Sequence, residues 1–149
     1  AEQAVASGID GLIVPDLPPE EALPLRTECA KRGLALVYLV APTTPPARVA
    51  RIAAETQGFL YVVSRLGTTG AHENGATLDG GLEAQLAAAR RCARTPVAVG
   101  FGISRPEQVR ALAPLADGII VGSAVVDEAV EGPAALKSYV AALRAATLI

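Results

Sequence analysis

The chain has 149 residues, enough for one domain with its own core, and 51% of them are hydrophobic although only 3% are aromatic. The net charge of −2, without any basic run, argues against nucleic acid and anionic membranes as partners. No apolar stretch approaches the roughly 18 residues that a membrane span needs. Cys29 and Cys92 have no metal-type spacing, so the sequence predicts no metal site and a cytoplasmic protein with two reduced thiols.

Short apolar runs alternate with helical patterns along the chain. The first residues have the pattern of a helix that closes on Gly8, which predicts that the polypeptide begins upstream of residue 1. Apolar runs predict strands at Gly11–Val14, Leu34–Val40, Phe59–Val63, Val97–Val99 and Gly118–Gly122. Helices are predicted over Glu20–Arg32, Ala47–Glu55, Leu82–Ala93, Pro106–Leu115 and Pro133–Ala146, with a short helical turn from Ser123 through Val126.

Five strand-then-helix units in a row predict an α/β fold with a parallel sheet and right-handed crossovers. An open doubly wound sheet and part of a (β/α)8 TIM barrel both fit this order. In either architecture the functional side lies at the carboxyl ends of the strands. The loops of unusual composition all follow strands and therefore share that side: Pro15–Pro19, Ala41–Thr44, Ser64–Gly75, Gly100–Ser104 and Gly122–Ser123.

Glycines follow three successive predicted strands. Gly100 and Gly102 come after Val97–Val99, where the main chain turns or approaches a ligand closely. Ser104 and Glu107 have the spacing of a capping box, which predicts a helix start with free N–H groups, a common anion site. Each glycine alone could instead serve a tight turn. Because they lie at the same end of consecutive strands, four residues together predict a phosphate site: Gly70, Gly102, Gly122 and Ser123.

Few other side chains suggest chemistry. Tyr61 lies in the third strand, as a core aromatic or facing a cleft. Asp16 follows the first strand, where it makes a turn of the Asx type or presents a carboxylate to the cleft. His72 lies in a polar loop without a second metal ligand nearby, and we do not expect it to act as a base. The sequence contains no nucleophile paired with a base.

Five motifs together resemble the tryptophan synthase alpha subunit family, in the same order and at similar spacing. The combination of S-R-x-G-x-T-G-A with G-F-G-I-S is the most specific part. The resemblance covers the whole chain, which corresponds to strands four to eight of a (β/α)8 barrel. We therefore expect residues 1–149 to form a single partial barrel domain that lacks units one to three. The motifs are V-P-D-L-P-P-E-E from Val14, L-V-A-P-T-T-P from Leu39, Y-V-V-S-R-L-G-T-T-G-A from Tyr61, V-G-F-G-I-S from Val99 and V-G-S-A-V-V from Val121.

The resemblance implies a lyase of tryptophan biosynthesis that cleaves indole-3-glycerol phosphate to indole and glyceraldehyde 3-phosphate by a retro-aldol reaction. The family's proton-transferring Glu and Asp would precede residue 1, so this chain is expected to hold no catalytic residue and to be inactive alone. Supporting roles are implied for Tyr61 beside the carboxylates, for Thr69 in the closing loop and for Asp16 in holding that loop closed. The phosphate and substrate would be bound by Gly70, Phe101, Gly102, Gly122 and Ser123.

The resemblance also implies a beta-subunit partner in an α2β2-type complex, with Leu17 and Pro18 near the partner surface. The alpha subunit itself would need no cofactor, and pyridoxal phosphate would belong to the beta subunit. Two other hypotheses stay open from the residues alone. One is a non-catalytic phosphate-binding module of five βα units, and the other is a different phosphate-binding barrel enzyme of biosynthesis.

Overall fold

The computed structural model describes residues 1–64 and 80–148 of the chain. The predictions at Thr69, Gly70 and His72 lie outside these residues. Within the described ranges the strands are β1 (Gly11–Ile13), β2 (Ala35–Val37), β3 (Leu39–Val40), β4 (Leu60–Val63), β5 (Val97–Gly100) and β6 (Gly118–Ile120). The helices are α1 (Glu2–Ala6), α2 (Leu23–Lys31), α3 (Pro46–Glu55), α4 (Gly80–Cys92), α5 (Pro106–Leu112), α6 (Ser123–Val130) and α7 (Pro133–Ala145).

All the described strand pairs are parallel, and each joins strands that are consecutive in sequence. β1 pairs with β2, and β3, β4, β5 and β6 form a sheet in that order. The predicted parallel α/β fold is therefore confirmed, with one difference. The apolar run Leu34–Val40 forms two strand segments rather than one, separated at Tyr38. The backbone N–H of Tyr61 in β4 donates a hydrogen bond to the carbonyl oxygen of Tyr38 at 3.1 Å. The pairing with β4 therefore already begins at the residue between β2 and β3.

The two central strands of the four-stranded sheet, β4 and β5, bury one face completely. Leu60 and Val62 of β4 have 0% exposure, and their register partners in β5 are Val97 and Val99, which are equally buried. These residues form one core with apolar side chains of α3, α4 and α5, as crossover helices on a parallel sheet require. Because side chains alternate along a strand, Tyr61 points to the other face, on which the residues of β4 are only half-buried.

Two helix-to-strand connections use the same turn. Gly8 and Gly33 have φ values of +73° and +71°, and each directly follows the C-cap residue of its helix, α1 or α2. Gly58 also has a positive φ of +70°, but it lies two residues beyond the extended C-cap Thr56 of α3. This left-handed conformation is unstrained only for glycine and is the usual end of a helix. The sequence prediction that the first helix closes on Gly8 is confirmed. These turns stand at the edge where strands begin, opposite the edge with the predicted site.

Most helix bounds agree with the sequence prediction to within a few residues. α2 begins at Leu23 rather than Glu20, because Pro24 occupies the second helical position and proline is tolerated only in the first turn. α6 extends to Val130, well beyond the short turn that was predicted. No helix among the described residues is long and apolar enough to cross a membrane.

Candidate functional site

The ends of β5 and β6 bring two glycine motifs to the same edge of the sheet. Gly100 pairs with Ile120 in the parallel register, so Gly102 and Gly122 each lie two residues beyond a matched position. Both glycines, together with Ser123, are exposed. We call this edge, formed by residues 101–104 and 122–124, the anion edge. It matches the predicted position of the phosphate site.

The loop after β5 has an unusual main-chain conformation. Phe101 has a φ of +87°, the only positive value at a non-glycine residue in the described chain, and Gly102 follows with +73°. Such a value is sterically unfavourable for a bulky residue and persists only when its surroundings impose it. Here Ser64 at the end of β4 imposes it. Its backbone N–H and its hydroxyl both donate to the carbonyl oxygen of Gly100 at 2.8 Å, and its hydroxyl also contacts the carbonyl oxygen of Phe101.

This conformation leaves main-chain donors free. Within residues 1–64 and 80–148, the N–H groups of Gly102 and Ile103 donate no hydrogen bond. On the neighbouring strand, α6 begins at Ser123, and the first N–H groups of any helix lack an intrahelical acceptor. The helix dipole adds partial positive charge there. Unpaired donors on two adjacent strand ends are suited to bind a phosphate group.

The predicted capping box at Ser104 and Glu107 is wrong by one residue. α5 has Arg105 as its N-cap, and the side-chain oxygen of Gln108 accepts hydrogen bonds from the N–H groups of Ser104 and Arg105 at 2.9 and 3.0 Å. A glutamine two or three residues inside a helix satisfies the same donors as a glutamate would. The donors at this helix start are therefore used internally, and the free N–H groups lie earlier, in the loop itself.

Tyr61 stands beside the anion edge on β4. A Cβ atom at Gly100 would lie 2.7 Å from the Tyr61 hydroxyl oxygen, so the phenol occupies the space that this glycine leaves. Burial raises the pKa of Tyr61 above its ordinary value of 10.0, so the phenol stays protonated at neutral pH and can donate a hydrogen bond. The ring also packs against Phe59, with 6.4 Å between centroids.

Asp16 lies at a separate but adjoining place. It is exposed in the loop Pro15–Pro19 after β1, which forms one wall of a cleft of about 430 Å³. Leu39 and Val63 line the same cleft, and Thr44 and Arg48 stand on the side of α3. Val63 is the register partner of Gly100, so the cleft and the anion edge meet at the end of β4.

An ion-pair network that sequence reasoning missed holds the Asp16 loop in place. The carboxylate of Glu20 accepts two hydrogen bonds from Arg48 at 3.1 and 3.0 Å, and Arg51 lies 3.3 Å away. Arg51 also approaches Glu55, which pairs with Arg26 of α2. Glu20 lies outside α2, free to reach α3, and no local pattern connects it with Arg48, which is 28 residues along the chain.

The structure thus brings part of the predicted site together. Phe101, Gly102, Gly122 and Ser123 form the anion edge, Tyr61 adjoins it, and Asp16 lines the neighbouring cleft. The predicted contributions of Thr69 and Gly70 fall outside the described residues. Within those residues, no group of three His, Cys, Asp or Glu side chains could hold a metal ion.

Consecutive parallel βα units whose described strands do not close define a partial (β/α)8 barrel. Residues 1–147 match the family model described as the tryptophan synthase alpha chain, and the chain belongs to that family. The predicted resemblance and the predicted incomplete barrel are both confirmed, since the solved structures it matches are alpha-chain barrels and the described strands do not close.

The relatives are identical to this chain at about half of the aligned positions. The tryptophan synthase alpha chain of Halorhodospira halophila is 47% identical over 150 aligned residues, covering 96% of this chain and 54% of the relative. That of Gloeobacter violaceus is 52% identical over 126 residues, covering 84% of this chain and 45% of the relative. The chain therefore spans about half the length of the curated relatives it matches.

Solved structures give the same result. A Mycobacterium tuberculosis tryptophan synthase structure in space group F222 superposes with a TM-score of 0.84 at 34% identity, covering 98% of this chain and 55% of that one. A tryptophan synthase subunit alpha from Legionella pneumophila superposes with a TM-score of 0.77 at 34% identity, covering 97% and 54%.

Proposed function

We propose that this chain is the phosphate-binding half of a tryptophan synthase alpha subunit. The complete protein would cleave indole-3-glycerol phosphate to indole and glyceraldehyde 3-phosphate. The observation that carries the proposal is the anion edge, where unpaired N–H groups of Gly102 and of the first residues of α6 lie just beyond the ends of adjacent strands. Family membership supports the identity of the phosphorylated substrate.

The half-barrel would bind and orient rather than break bonds. The anion edge would fix the phosphate, and Tyr61 would present a neutral phenol to the same space. Proton transfer to the indole ring and from its nitrogen and hydroxyl needs a carboxylate pair, which the family supplies from strand two and its loop. None of the residues of this chain is assigned to that pair. Asp16 would hold the loop containing Thr69 over the substrate.

We further propose a partner protein. The indole product would pass to a beta subunit in an α2β2-type complex, and Leu17 and Pro18 would stand near that subunit. One matched structure is that of tryptophan synthase from M. tuberculosis in an aminoacrylate-bound form, which supports such an assembly for that relative. Any pyridoxal phosphate would be held by the beta subunit, outside this chain.

A charge substitution at the anion edge tests the phosphate assignment. Ser123 is exposed at the first position of α6, where Asp suits the helix dipole, so Ser123→Asp is expected to fold normally. A carboxylate a few ångströms from a bound phosphate costs about 2 kcal/mol at a partly exposed site, and KM for indole-3-glycerol phosphate is expected to rise roughly 30-fold. The neutral, equally sized Ser123→Asn is the matched control and is expected to raise KM far less.

The assay is indole release by the full-length protein that carries this chain. Equal KM values for the Asp and Asn variants would contradict phosphate binding at this edge. Binding of indole-3-glycerol phosphate without any release of indole by the full-length wild type would instead favour the non-catalytic binding module. Cleavage of a different phosphorylated substrate would favour another barrel enzyme.

A further inference from the structure

One hydroxyl connects the last described helix to the anion edge. Tyr139 of α7 donates a hydrogen bond from its phenol oxygen to the carbonyl oxygen of Ser104 at 2.7 Å, across 35 residues of sequence. Ser104 is the last residue of the loop that begins with Phe101 and Gly102. The Tyr139 ring packs against the core, which restricts the position of its hydroxyl.

The hydrogen bond completes a set of restraints on this loop. Ser64 holds its first residues through Gly100, and Gln108 accepts from the N–H of Ser104. The carbonyl of Ser104 is held by Tyr139 alone among the described residues. Because two consecutive residues of the loop have positive φ, its shape depends on restraints at both ends.

The helix that carries Tyr139 packs against both α5 and α6. Burial raises the pKa of its phenol, and the negative charges of Glu128 and Asp127 in the second half of α6 raise it further. The phenol therefore stays a donor through the physiological pH range. Its hydrogen bond to Ser104 ties the loop after β5 to α7.

We propose that Tyr139 is a positioning residue that holds the loop after β5, through Ser104, in the shape that leaves the N–H groups of Gly102 and Ile103 free, and that it thereby sets the affinity for the phosphate group. The inference rests on the proposed phosphate site. Tyr139 does not touch the substrate in this arrangement and acts only through Ser104. It differs from the residues of the anion edge because no motif in the sequence selects it.

Tyr139→Phe in the full-length protein tests this role, since it removes the hydroxyl and keeps the ring packing. We expect KM for indole-3-glycerol phosphate and Kd for inorganic phosphate to rise about fivefold, the effect of one lost hydrogen bond, with kcat within twofold. Kd for indole, which has no phosphate, is expected to stay unchanged. Circular dichroism and thermal unfolding establish that the variant is folded.

Tyr38→Phe is the matched control, because the Tyr38 hydroxyl has no hydrogen-bond partner in the described chain and the residue is buried in the core. We expect it to leave both constants unchanged. An unchanged phosphate Kd in Tyr139→Phe would overturn the positioning role alone, provided that the wild type binds phosphate. An equal loss of indole affinity would also overturn it, since a general loosening is not specific to phosphate. A wild type that binds no phosphate would overturn the proposed function as well.

Discussion

Substituting Gly100 with alanine should push β5 away from β6. A Cβ atom there would lie 2.8 Å from the Cβ of Ile120 and 2.9 Å from its carbonyl oxygen, distances that real Cβ atoms do not adopt. The Tyr61 hydroxyl, 2.7 Å away, belongs to a side chain that can rotate, but Ile120 is fixed by the strand ladder. Overpacking of a rigid site costs about 1–3 kcal/mol, and we expect the free energy of unfolding to fall by about 2 kcal/mol.

Gly118→Ala provides a matched control on the same pair of strands. Gly118 pairs with Ala98, two residues before the Gly100–Ile120 pair, and its added Cβ would be 3.6 Å from the Cβ of Ala98, an ordinary contact. Alanine at such a position stabilises by up to about 1 kcal/mol through the unfolded state. Urea unfolding of the full-length protein measures both variants, and about 2 kcal/mol corresponds to a midpoint shift of roughly 1 M. Equal midpoints for the two variants would refute the steric argument.

Two further predictions concern polar groups. Tyr38→Phe should raise the free energy of unfolding by about 1 kcal/mol, because it removes a buried hydroxyl that has no hydrogen-bond partner among the described residues. A drop in thermal stability would show instead that the hydroxyl is hydrogen-bonded. The pKa of Glu20 lies below its ordinary value of 4.5, because its own backbone N–H donates to the carboxylate and Arg48 and Arg51 lie nearby. A lowered pKa stabilises the fold above pH 4.5, and this contribution is lost as the pH falls through the lowered value. The stability difference between wild type and Glu20→Gln should therefore be full at neutral pH and shrink below pH 4.5, and a difference independent of pH would contradict the ion-pair assignment.

The order of strands and helices could be predicted because it depends on local sequence patterns. Runs such as Val97–Val99 are apolar without alternation, as in strands buried by helices. Gly8 and Gly33 end helices by a rule that needs only their neighbours in sequence. The position of the anion edge could be predicted from the strand-then-helix order, because every strand of a parallel sheet ends on the same side.

What could not be predicted depends on residues that meet only in the folded chain. The break at Tyr38 is set by pairing with β1 on one side and β4 on the other. Gln108 rather than Glu107 caps α5, because the N-cap is Arg105, one position later than the motif suggested. The contacts of Glu20 with Arg48 and of Tyr139 with Ser104 span 28 and 35 residues, and no periodicity links such pairs.

The repeated glycine turn at the edge where strands begin has a consequence for how this fold can change. Gly8 and Gly33 make two junctions nearly interchangeable, with φ values of +73° and +71°. A βα unit delimited by such junctions could be exchanged with its counterpart from a homologue while both splice points keep the same geometry. Loops at the opposite edge take no part in these junctions. They are free to vary in length and composition, so new ligand specificity can be acquired without redesigning the connections that order the strands.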